Sequence, residues 1–199
     1  MGTPGRGRLD EAALDLIFRQ ARTFNGFKTT DVAEALLREV YELAKWGPTS
    51  ANTTPARFLL IASQEAKAKL SPAMSAGNRA KTMAAPVNVV IGYDTKFYEL
   101  LPELYPREEA RSWFEGKPDV ETVALRNSSL QGAYFMIAAR ALGLDCGPMS
   151  GFDADLINKT FWPDGRIKAN FMCNIGYGDE TRVYPRSPRL TFERACEVL

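Results

Sequence analysis

The run from Val120 to Leu142 reads as the longest helix of the chain, and Ala133, Phe135, Met136, Ile137, Ala138 and Ala139 make its second half apolar on nearly every face. A helix without a polar face has no place on a surface, so this one belongs at the centre of a subunit or of a dimer. The other segments have to be laid around it.

Asp10 is placed to cap a first helix in which Leu14, Ile17, Phe18 and Ala21 recur at helical spacing, running out near Arg22 and Thr23. Asp31 and Glu34 have the spacing of a capping box for a second helix, whose buried stripe is Val32, Leu36, Val40, Leu43 and Ala44. Gly47 and Pro48 stop it, glycine by accepting left-handed geometry and proline by failing to continue the ladder. Phe58 to Ala62 reads as a short strand, Ser63 caps a helix through Leu70, and Val87 to Tyr93 is a near-continuous apolar run typical of a central strand. Ala169 to Tyr177 is a last strand, and the tail reaches a short helix near Glu193. Helices first and strands scattered suit an α+β architecture better than regular βαβ winding. Residues 1–9 are expected to form a flexible N-terminal segment and residues 10–199 a single domain.

The 25 Lys and Arg residues against 24 Asp and Glu leave a net charge of +1, so no global field favours nucleic acid or an acidic membrane surface. Any anion site has to be built locally. No apolar run approaches the ~20 residues of a membrane span, and Met1 to Asp10 lacks the apolar core of a signal peptide, which points to a cytoplasmic protein. Cys146, Cys173 and Cys196 are odd in number and widely spaced, arguing against both a disulfide framework and a zinc site and for reduced, mostly buried thiols. Histidine is absent. That removes the usual Ser-His and Cys-His nucleophile pairs, most catalytic zinc sites and His-ligated iron. No metal is expected, and in an enzyme so composed a bound organic cofactor carries the chemistry.

Three stretches carry polar chemistry between these elements. Thr49, Ser50 and Asn52 offer hydroxyls and an amide in the loop from Trp46 to Phe58, which can serve a ligand or satisfy its own turns. Asn78 and Lys81, three apart on one face of a short helix, can address one planar ligand or face solvent. The glycine-rich loop from Leu142 to Asp153 lets backbone amides approach a ligand closely, but it has neither G-x-G-x-x-G nor G-x-S-x-G, so neither a dinucleotide fingerprint nor a nucleophile elbow is supported. Between Asp94 and Pro118, aromatic residues interleave with Arg107 and Arg111 in an irregular excursion that reads as a lid or a packed surface loop.

With these pieces placed, the chain from about Leu14 to Leu199 is similar to the flavin-dependent nitroreductase family, most of all its malonic semialdehyde reductase branch associated with pyrimidine breakdown. The matching stretches are Ala-Arg-Thr-x-Asn-Gly-Phe at 21 to 27, Lys-Trp-Gly-Pro-Thr-Ser-Ala-Asn at 45 to 52, and Asn-Ser-Ser at 127 to 129. Gly-Pro-Met-Ser-Gly-Phe-Asp at 147 to 153 and Asn-Ile-Gly-Tyr-Gly-Asp at 174 to 179 complete them. The resemblance implies an antiparallel sheet surrounded by helices, in an intertwined homodimer with FMN at the interface and NAD(P)H as co-substrate.

By the same resemblance, Arg22, Thr23 and Arg189 hold the FMN phosphate, with Asn25 standing where a further basic residue is often seen. Pro48, Thr49, Ser50 and Asn52 lie against the flavin of the partner subunit, while Thr54-Pro55-Ala56 departs from the usual Gln-Pro-Trp continuation. Asn78 and Lys81 face the pyrimidine edge, where Lys81 offsets the charge of the reduced ring. Pro148, Ser150 and Gly151 form the loop opposite flavin N5, and either the amide or the hydroxyl of Ser150 could bond to N5. The implied activity is ping-pong reduction of 3-oxopropanoate to 3-hydroxypropanoate by NAD(P)H, with nitroaromatic, quinone or free-flavin reduction as the alternative. A substrate so small requires a cation on its carboxylate. Arg111 is the first candidate, with Arg107 and Arg57 behind it.

Overall fold

In the computed structural model, which describes residues 7–105, 107 and 109–199, four antiparallel strands form one sheet in the order β1-β2-β4-β3. They are β1 (Ala56–Ile61), β2 (Val87–Asp94), β3 (Asp145–Met149) and β4 (Ile167–Gly176). The helices among the described residues are α1 (Glu11–Leu14), α2 (Glu34–Ala44), α3 (Gln64–Leu70), α4 (Ala76–Ala84), α5 (Leu101–Leu104), α6 (Val120–Ala141), α7 (Ala154–Phe161) and α8 (Phe192–Ala195). The N-terminal segment expected to be flexible lies largely outside the described residues.

The sheet is a middle layer. On one face Val87, Val89, Ile91, Cys146, Cys173 and Ile175 meet Leu37, Val40 and Ala44 of α2 and Phe135, Ala138 and Ala139 of α6. On the other, Ile61, Val90 and Met172 meet Leu70, Met74 and Ile157 from α3, the turn after it and α7. Helix α6 lies against all four strands, and Gly132 makes that approach possible, since a Cβ there would stand 2.5 Å from the Phe171 ring. The expected central helix is present, but up to Gln131 it is not apolar: Asn127, Ser128 and Gln131 are buried on it.

Several boundaries differ from the sequence reading for identifiable reasons. Asp10 does cap α1, accepting the Ala13 N–H at 2.8 Å, but the helix widens into a π turn over Asp15–Arg19 and stops at Gln20, before Arg22. It buries no side chain within the chain. The capping box at Asp31 does not form, because the backbone stays extended to Ala33, which is the N-cap without a side-chain bond. Leu37, not Leu43, completes the buried stripe of α2, and Leu43 is exposed.

Gly47 is not left-handed; it is bare because a Cβ would meet the Tyr134 ring at 2.6 Å. In this loop the left-handed residues are Ala51, Asn52 and Thr54, at φ 46°, 51° and 36°. The glycine-rich loop is partly strand: Gly147 and Pro148 lie in β3, an edge strand in which the missing N–H of proline is tolerated. Helix α7, capped by Asp153 through the Leu156 N–H at 2.9 Å, follows directly. Cys146 and Cys173 are buried, whereas Cys196 is exposed.

Candidate active site

The loop after α1 is held on the edge of the sheet. Thr23 pairs with Cys146 of β3, and the Phe24 N–H donates to the Cys146 carbonyl at 3.0 Å. Gly147 permits this approach, since a Cβ there would stand 2.5 Å from the Phe24 carbonyl oxygen. The C-terminal tail is then tied to the same loop. Arg22 donates to the Tyr184 carbonyl, and Arg186 donates to the Arg19 and Ala21 carbonyls at 2.8 and 2.9 Å.

Between loop and tail lies a cavity of about 570 Å³ lined by Arg22, Thr23, Asn25, Arg140, Arg186 and Arg189, with apolar and hydroxyl neighbours. Among the described residues no carboxylate lines it. Four guanidiniums line one cavity in a protein of net charge +1, and their planar donors could take a phosphate. Arg22, Thr23, Asn25 and Arg189 line this one cavity, and Arg140 and Arg186 join them. Nothing in local spacing ties Arg140 to this group, 118 residues beyond Arg22 in the numbering.

From this cavity a polar wall continues along α4. The Lys81 Nζ donates to Asn25 Oδ1 at 3.1 Å, and Asn78 Nδ2 donates to the Gly151 carbonyl at 3.0 Å. A Cβ at Gly151 would stand 2.4 Å from that amide nitrogen, so a larger residue there would displace the Asn78 amide. Ser150 beside it is exposed, and its carbonyl accepts the Phe152 N–H at 3.0 Å. Pro148, in register with Cys173, leads into this turn. A buried amide pair fixes the helix from beneath: Asn88 Nδ2 donates to the Thr82 carbonyl and to Asn174 Oδ1, both at 2.8 Å.

Pro48, Thr49 and Asn52 stand in a different cavity, about 530 Å³, together with Lys45, Trp46, Arg57, Leu100, Leu104 and Gln131. The two cavities share no lining residue. Side chains of α6 set the strained loop: Asn127 Oδ1 accepts the Ser50 N–H at 2.8 Å and Gln131 Oε1 accepts the Ala56 N–H at 2.9 Å. Left-handed backbone costs roughly 1–2 kcal/mol per non-glycine residue, so these bonds hold a shape the loop would not adopt alone. Asn52 Nδ2 donates to the Leu104 carbonyl at 2.8 Å, which ties the loop to the excursion.

The three substrate-cation candidates do not converge. Arg111 makes a two-pronged bond to Glu115 at 2.6 and 2.8 Å and lies over the Tyr98 ring, not over Trp113. Arg107 lies over Tyr105. Arg57 reaches the second cavity, but donates to Asp94 at 2.7 Å and to the Thr54 and Ala56 carbonyls. The excursion itself is packed on buried Phe97, Leu101 and Ala110, with Phe97 edge-on to Phe114.

Among the described residues no cluster of His, Cys, Asp or Glu could hold a metal ion, and no helix is long and apolar enough to cross a membrane. Asp145, half-buried beside the tail, accepts the Gly178 N–H at 2.8 Å; burial nonetheless pushes its carboxyl above the ordinary range, against the pull of that bond and of Arg140.

Comparison with known proteins agrees with this fold. A protein of Ralstonia nicotianae whose name proposes an NADH dehydrogenase/NAD(P)H nitroreductase is 56% identical over 192 residues, covering 96% of this chain and 98% of its own. A nitroreductase-named structure from Bacillus subtilis superposes with a TM-score of 0.87 at 22% identity, covering 96% of this chain and all of its own. A second such structure, from Exiguobacterium sibiricum and in complex with FMN, gives 0.84 at 23%, covering 98% of this chain and 99% of its own. The family model described as "Nitroreductase family" matches residues 18–177, spanning α2 to β4, and the chain belongs to that family.

Proposed function

We propose that the chain is an FMN-dependent NAD(P)H oxidoreductase that works as a homodimer in the cytoplasm. The observation that carries this reading is the continuous polar wall from the acid-free arginine cavity, through Asn25 and Lys81, to Asn78 and the Ser150-Gly151 turn. Its donor set fits a flavin mononucleotide, with guanidiniums for a phosphate at one end and a cation, an amide and a tight backbone turn for a polar ring edge at the other. When bound, FMN supplies hydride transfer between NAD(P)H and a second substrate in alternating half-reactions.

The chain's own residues would divide the work. Arg22, Thr23 and Arg189 would hold the phosphate, Arg186 keeping the tail in place for them. Lys81 would place a positive charge where the reduced ring becomes negative, and charge placed in advance costs no reorganisation at the moment of transfer. Asn78 would act by fixing the Gly151 carbonyl, and so the attitude of Ser150.

The second copy is supported by what one chain leaves uncovered. Pro48, Thr49 and Asn52 line a cavity separate from the arginines, as expected if each copy completes the other's site. Leu16 and Phe18 near α1, and Leu190, Phe192, Val198 and Leu199 in the tail, are large apolar side chains in solvent. A groove of about 1040 Å³ runs along α2 and the edge strand β1, where Val32, Leu37, Phe58, Leu60 and Phe135 lie beside Glu34, Arg38, Glu42 and Arg57. These uncovered apolar side chains are what a second copy would bury.

For the acceptor we propose 3-oxopropanoate, on the strength of the motif stretches. Nitroaromatic or quinone reduction is the second reading, favoured by the name of the Ralstonia relative. Turnover of the purified yellow protein with 3-oxopropanoate and with a quinone, followed by NAD(P)H loss, separates them. A protein that carries no flavin overturns the proposal as a whole.

A further inference from the structure

The four guanidiniums of the tail cavity have unequal obligations. Arg22 donates to the Tyr184 carbonyl, Arg186 to those of Arg19 and Ala21, and Arg189 to those of Ser187 and Pro188 at 2.9 and 3.2 Å. These three hold loop and tail in shape and spend part of their donor capacity on backbone. Among the described residues, the Arg140 side chain forms neither a hydrogen bond nor an ion pair with the protein. It also comes from elsewhere, the last turn of α6, the element packed against the whole sheet.

A cation in a last helical turn is favoured by the helix dipole whatever it faces, so the position alone says nothing. What it faces does: a cavity lined by three more arginines and no acid. Asp145 senses the Arg140 charge but spends its Oδ2 on the Gly178 N–H. Asn25, which lines the loop side together with Thr23, is neutral and is engaged by Lys81. A guanidinium carries five N–H donors in a fixed fork, and one mounted on a packed helix loses less order on binding than one mounted on a tail.

We propose that Arg140 binds the phosphate monoester in this cavity, and that it sets the protein's preference for a phosphorylated over an unphosphorylated flavin. The proposal rests on the flavin reading above and adds to it the residue that provides the preorganised charge. Arg22 closes on the same group from the loop after α1, and Arg189 from the tail.

The test uses holoprotein and reads binding, not turnover: release of FMN on dilution, followed by flavin fluorescence, and exchange of bound FMN for added riboflavin. Arg140→Ala is expected to weaken FMN about tenfold or more, the worth of one charge-assisted contact, while the affinity for riboflavin stays as in the parent. Arg140→Lys keeps most of the preference, and Arg126→Ala, an exposed arginine on the same helix, changes neither flavin. If Arg140→Ala retains FMN as tightly as the parent while Arg22→Ala loses it, the assignment of Arg140 falls and the phosphate cavity stands. Equal losses for both flavins would show Arg140 acting only through helix stability, which also overturns the proposal. Should the parent itself hold FMN and riboflavin equally, the cavity does not read phosphate and the underlying reading falls too.

Discussion

The ammonium of Lys81 rests on Asn25 Oδ1 at 3.1 Å, joining α4 to the loop after α1 across 56 residues of chain. The bond fixes a positive charge at the junction of the arginine cavity and the Asn78-Gly151 turn, and it leaves the ammonium two further donors.

Replacing Lys81 by Met is therefore expected to leave FMN bound, because the arginines are untouched, and to lower the flavin reduction potential. Reduction by NAD(P)H slows accordingly. Spectroelectrochemical titration of the variant checks this, and an unchanged potential would place Lys81 in a purely structural role toward Asn25.

Arg189→Ala and Arg22→Ala should each weaken FMN about tenfold or more, one charge-assisted contact apiece at roughly 1.5–3 kcal/mol. They are expected to differ in a second respect. Arg22 also holds the tail through the Tyr184 carbonyl, whereas Arg189 bonds only within its own turn. Proteolysis of the segment after Arg182 should consequently quicken in Arg22→Ala and not in Arg189→Ala.

Arg111→Ala tests the acceptor. If this cation meets the carboxylate of 3-oxopropanoate, kcat/KM for that substrate falls about tenfold or more while quinone reduction is nearly unchanged. Its bond to Glu115 has to open for that role. Arg57→Ala, in contrast, leaves the buried Asp94 with Arg166 as its remaining guanidinium, and is expected to cost about 2 kcal/mol of stability, read as a lower Tm with both acceptors affected alike.

Asp145 makes a pH prediction. Burial raises its folded carboxyl above the unfolded value, so the folded state binds its proton more readily than the unfolded one. Its contribution to stability is fully present below the ordinary aspartate range and is lost as pH rises through the raised value. Asp145→Asn keeps an oxygen for the Gly178 N–H and removes the titration. Denaturation midpoints of parent and variant measured from pH 7 downward should show the parent gaining on the variant as pH falls through the carboxylate range; parallel curves would refute the shift.

Periodicity revealed what periodicity controls. The apolar runs of α6, β2 and β4 were legible, as were Asp10 and Ser63, whose side chains accept the Ala13 and Ala66 N–H groups. The stretch Gly147-Pro148 was not, since a glycine and a proline look like a loop until the strand is seen to lie at a sheet edge. No residue preference announces left-handed backbone at Ala51 or Thr54; it is imposed from outside by Asn127 and Gln131. In the same way the grouping of Arg22, Thr23, Asn25 and Arg189 was reached through the motifs, while Arg140 stayed invisible because only the packing of α6 carries it to that cavity.

Gln131 and Arg140 stand at the two cavities on one helix, about 13.5 Å apart along its axis at 1.5 Å per residue. Damage to one cavity and damage to the other are accordingly faults in different halves of the proposed paired site. A cell making one chain altered at Arg22 and another altered in the Pro48–Asn52 loop would assemble some mixed pairs with one sound site and one doubly broken one. Two alleles that are each null alone are then expected to complement, and two alleles within the same cavity are not.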